Sequence, residues 1–299
     1  MNPSKQAWKG YALTLLAASC WATGGLTAKY LDLAPGVMTA ARSLVAGLVL
    51  GVILILANRE AFCLKEPRRD IPFILFFGVA AQSGMQFTYL MSISLNAIGV
   101  AILLEYLAPV FSLLFALVFF RQRPKLMALV GIAVTIVGCA LVVGVADPSG
   151  ICVSLPGFVW GIASAFFFSL YTVLGERVKH RFSSATLIFY GMIITAVTWI
   201  TIMGPSRVAA PFLRPETMLP ILAVGVLSTL LPFGAFLMAL RYIPPVNAGI
   251  TATIEPVLAA IGGAVLFAEA LTGGFIIGGI LILAAIAIIQ ISDAWSVCD

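Results

Sequence analysis

The stretch YLMSISLNAIGVAILLEYLAPVFSLLFALVFFRQRP, residues 89–124, lies without a gap over FLMALRYIPPVNAGITATIEPVLAAIGGAVLFAEAL, residues 236–271. Leu90-Met91 fall on Leu237-Met238 and Pro109-Val110 on Pro256-Val257, at an offset of 147 residues. The same offset carries Gly10 onto Gly157, Trp21 onto Phe168 and Gly131 onto Gly278. One shift that holds from end to end marks a duplication, because chance similarity between oily segments keeps no common register. Two halves follow, residues 1–147 and 148–299.

What surrounds that stretch is equally oily. The 299 residues are 62% hydrophobic and 10% charged, with a mean hydropathy of +1.11, against roughly 25% charged residues in soluble domains. Too little polar surface remains to cover such a core, so lipid is the solvent for most side chains. The net charge of +5 does not imply a nucleic-acid partner, since the bases sit between apolar segments. Cys20, Cys63, Cys139, Cys152 and Cys298 are odd in number and scattered, and read as free thiols with no disulfide framework or metal site. The N-terminal MNPSKQAWKG runs into apolar sequence without a small-residue cleavage site, which reads as a first span and not a removable signal.

About 20 apolar residues cross a hydrocarbon core. Charges, prolines and Gly-rich turns divide the chain into ten such spans, at about 8–29, 34–57, 71–93, 96–120, 124–145, 155–176, 183–204, 217–240, 245–268 and 272–292. Each half holds five, and an odd number forces the second half to enter from the opposite face, making the repeats inverted. With both termini cytoplasmic, the inner connections hold Lys5, Lys9, Arg59, Lys65, Arg68, Arg69, Arg121, Arg123, Lys125, Arg177, Lys179, Arg181 and Arg241. The outer ones hold only Lys29, Arg207 and Arg214, which is the positive-inside pattern. Arg42 alone lies within a span. The expected fold is therefore an all-α integral membrane protein of ten transmembrane helices, two inverted five-helix repeats around a central cavity.

Inverted repeats suit a transporter, because two similar halves packed in opposite senses give two near-equivalent states, one open to each side, with the substrate site near the midplane. The residues also carry a resemblance. LEYLAPV and ATIEPVL place a proline centrally in equivalent helices, and each is followed by a short turn (RQRPK, FAEALT) and a Gly-containing last helix. In this the chain resembles the EamA family of the drug/metabolite transporter superfamily, over nearly its whole length, and is most similar to the branch that exports aromatic amino acids. The family turn has a glutamate that Glu269 matches in the second half and Gln122 replaces in the first. Export across the inner membrane is what the resemblance implies.

Gln82, Gln86 and Tyr89 recur at i, i+4 and i+7, so they share one face of the third span. The offset places Thr229, Phe233 and Phe236 on the matching face of the eighth. One wall polar and its mate aromatic would suit an amino-acid head with an apolar or ring-shaped tail, although the glutamines could equally only bond neighbouring helices. In the first span Thr14, Ala18, Trp21 and Gly25 line a face, and in the sixth Trp160, Ser164, Phe168 and Tyr171, mixing small residues with rings able to stack on a ligand. Trp21 lies too deep for an interfacial belt, where Trp8 and Trp295 fit better, and Trp160 lies nearer an end.

Glu105 is about 13 Å deep by helix rise and Glu255 about 15 Å from the opposite face. A charged carboxylate there costs at least about 2.5–3.5 kcal/mol. Three readings remain open: an ion pair with Arg42, itself about 12 Å deep; a wet cavity in which the carboxylate holds a substrate ammonium; or a neutral acid that exchanges its proton during the cycle. Pro109, Pro232 and Pro256 interrupt their helices, as hinges or as mere packing features. The glycine pairs 24–25, 262–263 and 278–279 fit close helix packing.

The expected activity is secondary transport of amino acids, aromatic ones first, with other metabolites or drugs as the alternative on the same fold. No nucleotide motif is present, so ATP is not the direct driver. A nucleotide-sugar carrier would need several deep bases, an intramembrane enzyme a buried nucleophile or metal cluster, and His180 lies in a basic loop. A channel would show continuous flux without saturable counterflow. No cofactor or metal is expected; the partners are a small-molecule substrate and the bilayer, with the chain a monomer.

Overall fold

The computed structural model describes residues 3–57, 62, 64, 66–108, 110–112, 114, 115, 126, 130, 131, 133, 134, 137, 138, 141, 153–178, 180–243, 248, 251, 252, 254–269 and 271–294. These residues are helical throughout apart from short turns, and no strand occurs among them. In chain order the principal helices are α1 (Pro3–Leu31), α2 (Pro35–Ala57), α3 (Pro67–Leu95), α4 (Ile98–Glu105), α5 (Leu155–Arg177), α6 (Ser184–Met203), α7 (Pro215–Ala239), α8 (Ile254–Phe267) and α9 (Gly273–Ala294). They correspond to spans one to four and six to ten. The fifth span, with Gln122 and most of its length, lies outside the described residues, as do Pro109 and Trp295. Of these helices α2, α3, α5, α6 and α7 are each long and apolar enough to cross a membrane.

Local chemistry sets the helix ends. Prolines stand first in α2, α3 and α7, where the missing N–H would have had no intrahelical partner. Ser183 caps α6 by accepting the Thr186 N–H at 3.0 Å. That helix stops at Gly204, whose φ of 89° only glycine adopts freely. The fourth span, expected over 96 to 120 with an interruption at Pro109, breaks four residues before that proline. Its first helix ends at Glu105, and bonding tightens from Tyr106 N–H to the Ile102 carbonyl (3.0 Å) to Leu107 N–H on Leu104 (3.1 Å). Residue 109, a proline, has no N–H for the Glu105 carbonyl, so the regular ladder cannot run on.

The packing repeats the sequence symmetry. Helix α3 lies along α5 as α7 lies along α1, and α4 meets α5 as α8 meets α1, while α2 pairs with its own equivalent α6 and α4 with α8. That is the arrangement of two inverted five-span halves about a pseudo-two-fold axis. Each half also carries a feature with no clear sequence signature: a wide π-helical turn, Phe77–Gln82 in α3 and Val226–Leu230 in α7. Shifted by 147, the first overlaps the second. Pro232 follows its turn directly, but Met85 stands at the matching place in α3, so the widened turn does not require a proline.

Both turns lie beside equivalent glycines where a neighbour passes close. A Cβ on Gly78 would stand 2.7 Å from the Ile194 side chain of α6, and one on Gly225 would stand 2.5 Å from Val45 of α2. The two ends of the bundle are tied by charge. At one, Arg181 donates to Asp70 through Nε at 2.6 Å and reaches Glu66 at 3.3 Å, with Asp70 1% exposed. At the other, Lys29 pairs with Glu269, whose carboxylate also accepts the Ile98 N–H that opens α4, at 3.1 and 3.2 Å. Cys20 is a free, half-buried thiol and Trp8 is exposed, as befits an interfacial ring.

Gly225→Ala is expected to lower the thermal midpoint of the detergent-purified protein, with an overpacking cost of about 1–3 kcal/mol. An unchanged midpoint would show that α2 and α7 have room to spare there.

Candidate functional site

A cavity of about 40 Å³ lies at the centre of the bundle, enough for about three waters. Its charged and polar wall is Arg42 from α2, Gln86 and Tyr89 from α3, Glu105 from the end of α4 and Glu255 from α8. Trp21, Met85, Phe168 and Phe233 supply the rest. Trp21 and Phe168, equivalent by the repeat, face each other with ring centroids 6.3 Å apart, which puts the cavity on the pseudo-axis.

The two carboxylates sit in different settings. Glu105 accepts a hydrogen bond from Ser164 Oγ at 2.8 Å, so Ser164 serves the cavity from behind its wall. Glu255, 5% exposed, lies 3.1 Å from the Tyr106 hydroxyl, and that hydroxyl also donates to the Ala252 carbonyl. The carbonyl is free because residue 256, four positions on, is a proline and has no N–H to offer it. Tyr106 went unnoticed in the sequence because nothing local distinguishes a tyrosine beside a glutamate; its partners lie 146 and 149 residues away.

Arg42 is 5% exposed, and no ion pair joins it to Glu105 or Glu255. Its Nη2 reaches the Gln86 carbonyl at 3.4 Å and its Nε has no partner. The structural ion pair considered for these residues is therefore not formed in this conformation. Two further donors in the wall, Trp21 Nε1 and Tyr89 Oη, are also unpartnered. Stranding buried donors costs about 1–3 kcal/mol each, and more for a charge. Each of these donors needs an acceptor from what fills the cavity, water or a ligand.

Not every residue read from sequence reaches the cavity. Gln82, at the end of the wide turn, points at α6, where Met192 Sδ is 4.0 Å from its Nε2. Gln86 also donates to that sulfur at 3.4 Å and accepts from Ser43 Oγ at 3.3 Å, so it both lines the cavity and bonds neighbouring helices. Thr229 is buried with its hydroxyl unpartnered, outside the wall. Trp160 packs edge-on against Phe87 at 5.5 Å, away from the centre. Met85 joins the wall four residues before Tyr89, on the stripe the glutamines marked.

On one side the cavity is shut by rings. Phe233 meets Trp21 at 5.3 Å and Tyr171 at 5.8 Å; Tyr171 meets Phe77 at 5.3 Å, Phe77 meets Phe73 at 6.2 Å, and Phe73 stacks on Phe182 at 5.9 Å. Phe236 joins through Trp21 at 5.3 Å. The Arg181 guanidinium, bound to Asp70, covers the Phe182 ring at the end of this column. On the other side, one turn along α2 and α3, a second space of about 90 Å³ is walled by Met38, Leu90 and Ile93 and leads to Lys29 and Asp32.

A helical membrane protein of two inverted halves, with ionisable groups walled into a cavity on the axis between them, is by class a transporter. The particular family follows from comparison: the EamA-like transporter family matches residues 8–144 and again 155–291, two matches 147 residues apart at both ends. The chain belongs to this family, and it is a transporter and not an enzyme. It is 31% identical to the threonine/homoserine exporter RhtA of Salmonella typhimurium, over 95% of this chain and 90% of that one. It is 25% identical to the uncharacterized inner membrane transporter YicL of Salmonella typhimurium, over 95% and 96%. A solved crystal structure matches 97% of each chain at a TM-score of 0.65 and 19% identity, a likeness of fold.

Arg42→Met is expected to leave the thermal midpoint of the empty protein unchanged or raised, because it removes a buried charge that makes no direct salt bridge and whose Nε has no hydrogen-bond partner. A fall of several degrees would mean that the guanidinium is paired in solution.

Proposed function

We propose that the chain exports amino acids across the inner membrane by alternating access, with both termini cytoplasmic. The observation that carries this reading is the cavity wall: an unpaired guanidinium and unpartnered Trp21 and Tyr89 donors face two carboxylates across a ring-lined space. A zwitterion answers that wall. Its carboxylate accepts from Arg42 Nε and Trp21 Nε1, and its ammonium group donates to Glu105, held in place by Ser164. Its side chain lies against Phe168, Phe233 and Met85.

With the N-terminus inside, the ring column and the Arg181–Asp70 pair close the cytoplasmic half, and the space beside Lys29 is the outer vestibule. Loading from the cytoplasm then requires the column to part between α1, α3, α5 and α7. The two halves, residues 1–147 and 148–299, rock about the axis, with Pro109, Pro232 and Pro256 as hinges and the unpartnered polar atoms of Gln82, Thr229 and Tyr171 gaining hydrogen bonds as the column opens. The chain works as a monomer without a cofactor.

Aromatic amino acids suit the rings best. A second reading, small hydroxylated amino acids such as threonine, is favoured by the 31% identity to a threonine/homoserine exporter. Counterflow in proteoliposomes decides between them. Labelled phenylalanine is expected to exchange saturably and to be blocked by tryptophan, with exchange at least about tenfold slower in Trp21→Ala and Glu105→Gln, the loss of one charged hydrogen bond or ring contact. Exchange of threonine and not phenylalanine would select the second reading, and exchange of neither would overturn amino-acid transport.

A further inference from the structure

The hydrogen bonds around Tyr106 decide between the two carboxylates. A phenolic hydroxyl has one proton and two lone pairs. Here its oxygen touches two groups that normally only accept: the Ala252 carbonyl and Glu255 Oε2 at 3.1 Å. The carbonyl cannot supply a proton, and Pro256 leaves it without its helical partner. The Tyr106 proton is therefore spent on Ala252. The contact with Glu255 then needs a hydrogen that only the carboxyl group can provide.

We propose that Glu255 carries a proton in this conformation and is the group that couples transport to the proton gradient, while Glu105 stays ionised to hold the substrate ammonium. The surroundings agree. Among the described residues Glu255 has no basic partner; the ionisable groups on the elements packed about it are Tyr106 and Glu105 of α4, Tyr89 of α3 and Arg42 of α2, the last three in the cavity wall. Helices α1, α5 and α7 bring Trp21, Phe168 and Phe233, which do not ionise, and Lys29 and Glu269 satisfy each other at the bundle end. Glu105, by contrast, has a hydroxyl donor in Ser164 and shares the cavity with the Arg42 cation.

The cycle balances at one proton per amino acid. A cytoplasmic amino acid brings its ammonium group beside Glu105, and Glu255 releases its proton to cytoplasmic water. After the halves rock and the amino acid leaves, Glu255 takes a proton from the outer water and the empty carrier returns. Coupling rests on the transport reading above; the protonation of Glu255 does not.

Infrared difference spectroscopy of the purified empty protein tests the protonation directly. A protonated-carboxyl C=O stretch is expected in the wild type and in Glu105→Gln and is lost in Glu255→Gln. In Pro256→Ala the restored N–H takes over the Ala252 carbonyl, the Tyr106 proton is free to serve a Glu255 carboxylate, and the band weakens. Persistence of the band in Glu255→Gln, or its absence from the wild type, overturns the assignment. In proteoliposomes with the membrane potential clamped at zero, an acid interior is expected to accumulate labelled amino acid in the wild type, up to about tenfold per pH unit. At whatever exchange rate it keeps, Glu255→Gln is expected not to accumulate amino acid on the acid side. Accumulation that survives in Glu255→Gln overturns the coupling role; a wild type that exchanges nothing overturns the transport reading, and the infrared result then stands alone.

Discussion

A guanidinium that is 5% exposed inside a hydrocarbon slab must be enclosed by protein on every side, since lipid offers nothing that can hydrogen-bond it. Arg42 imposes that condition on the molecule. It is met where the two halves face one another, because there α2, α3, α4 and α8 converge with polar groups on one cavity. The fold does not neutralise the cation. It keeps Arg42 Nε and two neutral donors without hydrogen-bond partners and holds two carboxylates nearby, an arrangement that costs stability and that, on the proposed reading, a ligand with charges of both signs relieves.

Backbone chemistry shapes that arrangement. In a membrane every carbonyl left without an N–H needs another partner, and the prolines of this chain create such carbonyls at chosen depths. At Ala252 the replacement is the Tyr106 hydroxyl from the other half, so a helix interruption becomes a contact across the pseudo-axis. Ahead of Pro109 the ladder tightens at Leu107, and near the middle of α3 and α7 it widens into π turns. The two wide turns overlap in the repeat, beside equivalent glycines that a neighbouring helix passes with no space to spare.

The architecture could be read from the chain because the duplication keeps one offset, and an offset is indifferent to side-chain detail. Trp21 and Phe168 came from it directly, and they meet across the axis. The stripe Gln82, Gln86, Tyr89 was read on an ideal helix; the wide turn ending at Gln82 changes the phase, so Gln86 and Tyr89 face the cavity and Gln82 faces α6. Arg42, Glu105 and Glu255 were conspicuous by depth alone. Their pairing was not legible, because depth says nothing about rotation around the helix, and Tyr106 was missed because its partners are 146 and 149 residues distant. The ring column from Phe233 to Phe182 joins α7, α5, α3 and the α5–α6 connection, a contact order that no local pattern announces.

The central claim is that the cavity recognises both charged ends of an amino acid. Calorimetric titration of the purified protein tests it, using the amino acid it exchanges best beside two analogues, one lacking the carboxylate and one lacking the ammonium group. Binding at least about tenfold weaker for each analogue is predicted, because each leaves a buried charge unanswered. Equal binding of either analogue would contradict the account.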